Sequence, residues 1–159
     1  TENAYGVEFT NSHTLTSWWK IDGSFNFFRA MIDGRNLDDS FRSDTYSWFV
    51  RSMSRFSFWG IEAQARANYE APQLTPQGKR RYIATLDLAA SKDILNNNAT
   101  LTLSVLDVFN SRIYRNIVEG INFYTETNAQ GRLRQINLTF NYRIKQAKKK
   151  AKDIPTGEL

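Results

Sequence analysis

The feature that most constrains this chain is an alternation of apolar and polar residues with a period of two. Between residues 136 and 144, apolar side chains occupy every second position and polar side chains lie between them. Segments 61–71 and 19–27 show the same complete split. Because successive side chains of a β-strand point to opposite faces, each segment predicts a strand with one apolar and one polar face. We therefore expect an all-β protein.

Further strands are predicted by weaker alternation, which brings the expected number to seven. The additional segments are residues 4–11, 45–58, 82–91 and 99–109. About ten residues is the length that a tilted strand needs to cross a bilayer. Segment 45–58 is irregular because Phe49 and Met53 fall among its polar positions. A β-bulge, or packing against protein inside a barrel, would account for this irregularity.

The connections between these strands alternate in length. Short turns are expected around residues 12–17, 57–60 and 93–98, and long polar loops at 32–44, 72–81 and 111–131. Short turns at one end and long loops at the other are typical of outer-membrane barrels. The sequence thus predicts an antiparallel, up-and-down transmembrane β-barrel architecture. Within the last loop we expect a long hairpin with its tip at Asn128–Gly131.

Aromatic residues, 14% of the chain, are predicted to gather at both ends of the apolar faces. At the long-loop end these are Tyr5, Phe27, Tyr46, Tyr69 and Tyr82; at the short-turn end they are Trp19, Phe58 and Tyr142, with Trp18 and Trp59 beside them. Such rings favour membrane interfaces, so two aromatic girdles are expected. No apolar run approaches the roughly 20 residues of a membrane-spanning helix, which excludes a helical membrane protein.

Polar residues of the opposite parity are expected to line the lumen of the barrel or to contact a plug. They are Lys20, Asp22, Asn26, Arg51, Arg55, Glu62, Arg66, Glu70, Asp87 and Arg143. The three long loops are expected to contribute to a solute-binding site.

The net charge of +5 is concentrated at the end of the chain. Residues 145–159 hold five lysines and two acidic residues, which gives three of the five net charges. We expect residues 1–144 to form barrel strands and 145–159 to form a lysine-rich periplasmic tail. Such a tail fits solvent or lipid headgroups, and we expect no nucleic-acid partner.

The chain shows little that could support catalysis. It contains no cysteine, and its single histidine, His13, is expected in a short turn. No phosphate-binding glycine loop is present, and the carboxylate pairs Asp38–Asp39 and Glu62–Glu70 are interpreted as solvated charges. We expect no enzyme activity, no metal and no cofactor.

An odd number of strands leaves a barrel incomplete. Bacterial single-chain barrels have even strand numbers, and an open sheet in lipid would expose unpaired backbone groups at a cost of several kcal/mol each. The chain is therefore expected to be the C-terminal part of a larger barrel. If residues 112–127 supply a further strand, an eight-stranded barrel is the alternative.

Two segments carry a family resemblance. Leu101–Arg112 reads LTLSVLDVFNSR and Ile136–Ile144 reads INLTFNYRI. They resemble the last two strands of TonB-dependent outer-membrane receptors of the Bacteroidetes type, in which the penultimate strand ends in Asp, a hydrophobic residue, Phe and Asn. The corresponding residues are Asp107, Val108, Phe109 and Asn110. Of the family's final Tyr-x-aromatic pattern, Tyr142 is present and Ile144 replaces the aromatic residue.

The resemblance implies about seven strands of a barrel of about 22 strands. It further implies a receptor that binds a scarce solute outside, such as a metal chelate, oligosaccharide or peptide, and imports it into the periplasm. Partners would be the remaining strands and N-terminal plug of the same receptor, the TonB complex through segments absent here, and outer-membrane lipid. The alternatives are a complete small eight-stranded barrel with a structural or adhesive role, and a soluble lipid-binding β-barrel.

Overall fold

A computed structural model describes residues 1–36, 41–120 and 122–144 as antiparallel β-strands joined by turns. The strands are β1 (Glu2–Thr16), β2 (Trp19–Asp33), β3 (Arg42–Phe58), β4 (Ile61–Glu70), β5 (Gln73–Thr75), β6 (Gly78–Arg80), β7 (Ile83–Ile94), β8 (Ala99–Leu106), β9 (Tyr114–Gly120), β10 (Phe123–Ala129) and β11 (Gln135–Tyr142). Within these ranges no helix is long and apolar enough to cross a membrane. The predicted lysine-rich tail and the Asp38–Asp39 pair lie outside the described residues.

Seven of the strands form one main sheet in the order β1-β2-β3-β4-β7-β8-β11. Every neighbouring pair is antiparallel, so the predicted all-β, up-and-down arrangement is confirmed. Short turns at residues 17–18, 59–60 and 95–98 join strands at one end of this sheet. The connections at the other end are longer, as predicted. Residues 112–127 do not extend the main sheet with an eighth strand, because their strands belong to a second sheet.

The first strand is longer than its apolar pattern predicts. Polar residues after Phe9 continue the ladder, and His13 lies opposite Ile21. The prediction that His13 occupies a turn is therefore wrong. The register shifts between Thr14 and Thr16, and the turn is confined to residues 17–18.

The irregular pattern of β3 has a packing cause. Its register with β2 and β4 is continuous, so the structure has no bulge in this strand. Phe49 lies on the polar face, where its ring centroid is 6.5 Å from that of Phe28. The guanidinium of Arg51 lies 4.8 Å from the Phe49 centroid. Of the two explanations considered for β3, packing within the protein is the one that the structure supports.

The second sheet is built from the two longest connections, in the order β10-β9-β6-β5. A hairpin in the last connection is confirmed, but the prediction of its tip at Asn128–Gly131 is wrong. Gly120 pairs with Phe123, so the chain reverses between them. A side chain at position 120 would overlap the Phe123 ring, so a residue other than glycine would require this ring to move.

Candidate functional site

The ten residues predicted to line a lumen all lie on one face of the main sheet, called the polar face here. Nine are in strands whose register aligns them, for example Lys20 with Arg55 and Arg66 with Asp87. Arg143 follows β11 and reaches the same face, since its guanidinium donates to Thr100 at 2.9 Å and lies 3.3 Å from Asp93. Antiparallel partners project to the same side of a sheet, so this arrangement follows from the register.

Near the short turns, the charges of the polar face neutralise one another. The Asp22 carboxylate lies 2.9 Å from the Arg55 guanidinium and 4.0 Å from the Lys20 ammonium. It also accepts a hydrogen bond of 2.6 Å from the Ser12 hydroxyl. Glu62 accepts one of 2.6 Å from Ser57. This end of the polar face thus combines ion pairs around Asp22 with hydrogen bonds from serine hydroxyls to its carboxylates.

The aromatic residues predicted as girdles lie on the opposite, apolar face. Near the long connections, the centroids of Phe27 and Tyr46 are 5.8 Å apart, and Tyr69 stacks on Tyr82 at 6.0 Å. The remaining members are placed by the register: Tyr5 near this end, and Trp19, Phe58 and Tyr142 near the short turns. β2 extends far enough to add Arg29 to this face, where it lies 2.6 Å from Asp44. Much of the apolar face is exposed, with Leu138 at 70%.

Asp107 forms the turn that leads out of the main sheet after β8. Its backbone is in the left-handed region, with φ of 54°, and its side chain is buried. The carboxylate accepts hydrogen bonds from the backbone N–H groups of Ser111 and Arg112, each at 2.9 Å. The Ser111 hydroxyl donates a third, of 3.2 Å, and bonds also to the Ala84 carbonyl. One carboxylate thereby organises the turn from Asp107 to Arg112.

These contacts shift the acidity of Asp107. Burial alone raises the pKa of its carboxyl, but the hydrogen bonds from Ser111 and Arg112, together with the Arg112 charge, outweigh burial. The net result is a pKa below the usual value. Asp107 therefore remains ionised and holds the turn at neutral pH.

Asn110 connects this turn to the far end of the hairpin. Its side-chain oxygen accepts hydrogen bonds of 2.9 Å from both the Gln130 side chain and the Arg134 backbone N–H. Arg134 also donates to the Val108 carbonyl at 3.2 Å. Phe109, which lies between Val108 and Asn110 in the sequence, is 69% exposed. The Asp107–Asn110 motif thus closes the base of the β9–β10 hairpin.

The other two motif residues end the main sheet. Tyr142 is the last residue of β11 and pairs with Ala99. Ile144 follows that strand and is 81% exposed.

The chain leading into the second sheet covers part of the polar face. The Ser43 hydroxyl donates to the Leu74 carbonyl at 3.2 Å, and the Ser47 hydroxyl donates to the Pro72 carbonyl at 3.3 Å. Ser43 and Ser47 are consequently buried, as is Thr45 between them. β6 then pairs with β9, which joins connections 72–81 and 111–131 into one unit. Two of the three loops predicted to form a solute site are therefore adjacent.

A cleft lies where these connections meet the polar face. A cavity of about 330 Å³ is lined by residues of β3, β4 and β7 together with Arg112 and Tyr114. A neighbouring cavity of about 220 Å³ adds Gln73, Arg80 and Arg81. Both cavities are lined by Phe49, Arg51 and Glu70. Of the ten predicted lumen residues, Arg51, Arg66, Glu70 and Asp87 line the cleft. The other six lie elsewhere on the polar face: Lys20, Asp22, Asn26, Arg55, Glu62 and Arg143.

Sequence reasoning missed four side chains that complete the cleft. The sequence predicts only that they belong to the long loops: Arg80 and Arg81 to 72–81, and Arg112 and Tyr114 to 111–131. The sequence does offer a signal for Arg112, because it lies two residues after the Asp107–Asn110 motif that turns the chain. The others depend on the β6–β9 pairing, which joins segments far apart in sequence.

Comparison with known protein families relates the chain to one of them. The model of the outer membrane protein beta-barrel family matches residues 1–142. No curated protein and no solved structure matches the chain.

Proposed function

This chain belongs to the outer membrane protein beta-barrel family, and we propose that it forms part of a TonB-dependent receptor that imports a scarce solute. The observation that carries the proposal is the cleft between the polar face and the sheet built from the long connections. Family membership implies an outer-membrane location. A polar cleft at the long-loop end of such a sheet suits capture of a solute from outside.

The distribution of exposed surface supports a membrane sheet over a soluble lipid-binding barrel. A soluble barrel would bury its apolar face around a ligand. Here Ile136 and Leu138 on the apolar face are each 70% exposed, whereas Ser43 and Thr85 on the polar face are buried. Lipid contact with the apolar face accounts for this distribution.

The edges of the main sheet support the participation of further strands. β1 and β11 stand at its two edges, and an edge in lipid needs a partner for its backbone groups. We propose that these partners are the remaining strands of a barrel of about 22 strands that encloses an N-terminal plug. The Asp107–Asn110 motif and Tyr142 support the TonB-dependent type through their resemblance to that family.

The proposed role is transport of a metal chelate, oligosaccharide or peptide without catalysis by this chain. In this proposal, import is driven through the TonB complex of a bacterial cell and does not involve nucleic acid. Solute would contact the second sheet and the polar face before it passes the plug.

Uptake in source cells tests the proposal. Labelled solutes of the three classes are offered to cells with and without the native polypeptide that contains this sequence, and to cells depleted of TonB. We expect uptake of one class to be lost in both altered strains. Uptake that depends on the polypeptide but continues without TonB would contradict energised import. Loss of the polypeptide without effect on any uptake would contradict transport of these solutes.

The mass of the native polypeptide provides an independent check. The present chain accounts for 18.4 kDa. A receptor of the proposed type, extracted from outer membranes in detergent, should have a mass several times larger. A native mass near 18.4 kDa would instead favour a small complete barrel.

A further inference from the structure

We propose that the cleft between the two sheets binds an oxyanion, namely a phosphate or carboxylate group carried by the solute. The identity of the solute as imported cargo rests on the proposed function, whereas binding of the anion does not. The arginine cleft is defined as the two adjoining cavities that share Phe49, Arg51 and Glu70.

Positive charge dominates the arginine cleft. Its lining contains the arginines Arg51, Arg66, Arg80, Arg81 and Arg112, and the carboxylates Glu70 and Asp87. Five positive and two negative side chains leave an excess of three positive charges. Like charges gathered in one cleft repel each other, and a bound anion relieves that repulsion.

Only part of this positive charge is paired within the described ranges. Arg112 lies 3.4 Å from Asp87, and Arg81 lies 3.7 Å from Glu126 on β10. In the same ranges no carboxylate oxygen lies within 4.0 Å of Arg51 or Arg66. In these ranges Arg80 also has no carboxylate within 4.0 Å, but its guanidinium donates to the Gln73 side-chain oxygen at 3.1 Å. Arg51 and Arg66 are therefore the best candidates to receive an anion.

The register brings Arg51 and Arg66 to the same part of the polar face. Arg51 pairs with Asn68 on β4, and Arg66 pairs with Met53 on β3. The two arginines are thus diagonal neighbours on adjacent strands, within reach of one shared ligand group. A guanidinium presents paired N–H donors that match the oxygens of phosphate and carboxylate.

Arg51 is also restrained before a ligand binds. Its guanidinium lies over the Phe49 ring at 4.8 Å, in a cation–π contact. Phe49 in turn lies 6.5 Å from Phe28. A guanidinium held in this way loses less conformational freedom on binding. The aromatic walls of the cleft, which include Phe49 and Tyr114, suit a solute with apolar parts beside its anionic group.

Direct binding to the native polypeptide tests this proposal. The probes are inorganic phosphate, citrate and, as a neutral comparison, glucose, titrated calorimetrically into the detergent-solubilised protein. We expect phosphate or citrate to bind and glucose to give no signal. The anion that binds with the higher affinity shows whether the site prefers phosphate or carboxylate. Binding of neither anion would overturn the proposal. A carboxylate from another segment of the native polypeptide that already pairs with the arginines would give this result.

Variants locate the binding to the cleft. The double substitution Arg51→Gln with Arg66→Gln should weaken anion binding by about tenfold or more. Arg132→Gln removes the same kind of charge from an exposed position outside the cleft, and should leave binding unchanged. Equal binding by the double variant and the unaltered protein would overturn the assignment.

A chemical measurement covers the case in which the double variant does not fold. Phenylglyoxal modifies accessible arginines, and mass spectrometry reports the extent at each position in the unaltered protein. Bound phosphate or citrate should protect Arg51 and Arg66 while Arg132 continues to react. Equal modification of all three with and without anion would overturn the proposal.

The binding measurement is separable from import. It uses purified protein without TonB, so anion binding together with TonB-independent uptake would refute the proposed function and leave the anion site standing. TonB-dependent uptake without anion binding would refute the anion site and leave the proposed function standing.

Discussion

The backbone N–H of Asp107 donates a hydrogen bond of 2.8 Å to the Oδ1 atom of Asp87. The same Asp87 oxygen lies 3.4 Å from the Arg112 guanidinium. Asp87 belongs to the polar face of the main sheet, whereas Asp107 and Arg112 belong to the turn that leads to the second sheet. One carboxylate on β7 therefore helps to fix the position of a cleft wall.

Asp107→Ala should loosen the base of the β9–β10 hairpin. The substitution leaves the N–H groups of Ser111 and Arg112 without their acceptor. We expect the free energy for opening this turn to fall by about 2 kcal/mol, or roughly thirtyfold in amide exchange rate. Hydrogen exchange of the native protein, read at residues 111 and 112, measures the effect.

Asp93→Ala is the matched control for this change. The Asp93 carboxylate also accepts a side-chain hydrogen bond, from Thr100, but lies near the short turns. Its removal should leave exchange at Ser111 and Arg112 unaltered. Similar acceleration in both variants would mean that the Asp107 contacts do not hold the turn.

The low pKa of Asp107 predicts how the turn responds to acid. Because the pKa is lower in the folded state, ionised Asp107 contributes its full stabilisation above the usual carboxyl value of about 3.9. The contribution declines as the pH falls through the lower folded value. Protection of the Ser111 and Arg112 amides, corrected for intrinsic exchange, should hold from pH 7 to about pH 4 and fall below it.

Asp107→Asn provides the comparison for the acid response. Asparagine tolerates the left-handed backbone and retains one acceptor oxygen, but it does not ionise. Its protection should be lower than that of the unaltered protein at pH 7 and less dependent on pH below 4. A loss of protection between pH 7 and 5 in the unaltered protein would show that another group controls the turn.

The main sheet could be predicted from the sequence because its signal is local. In β4 and β11 the apolar and polar residues alternate without exception, because each strand contributes one side to the polar face of the main sheet and the other to the apolar face. Where the alternation of apolar and polar residues stops before the backbone pairing does, the predicted strand is shorter than the observed one. β1 continues through Ser12 and His13 because backbone pairing with β2 persists after the apolar alternation weakens.

The joining of two hairpins into a second sheet could not be predicted because the β6–β9 pairing that joins them is not local. Lys79 on β6 pairs with Ile117 on β9, and nothing near either residue in sequence indicates the other. The hairpin tip was misplaced for a related reason. Asn128–Gly131 has the composition of a turn, but the pairing of Gly120 with Phe123 places the reversal earlier in the chain.

Gly60→Ala should destabilise the β3–β4 hairpin through the backbone alone. Gly60 has φ of 71°, and no atom lies within 4 Å of the Cβ that alanine would add. The left-handed conformation should cost about 1 kcal/mol in the free energy of unfolding. Urea unfolding of the native protein in lipid vesicles measures this cost. Gly131→Ala, also without a neighbour within 4 Å but not at a left-handed φ, should have little effect. Equal effects would contradict a conformational cause.

Leu138→Arg and Thr139→Arg should separate the two faces of the main sheet. These neighbours in β11 pair with Leu103 and Thr102 of β8, so they project to opposite sides. If the apolar face meets lipid, an arginine at position 138 should cost about 2–4 kcal/mol in the free energy of unfolding in vesicles. An arginine at position 139 adds the same side chain to the polar face and should cost less than 1 kcal/mol, because water or polar groups surround it. A larger loss at position 139 would reverse the assignment of the faces. Each variant serves as the control for the other, because both are measured in the same vesicles and differ only in the face of the sheet that carries the arginine.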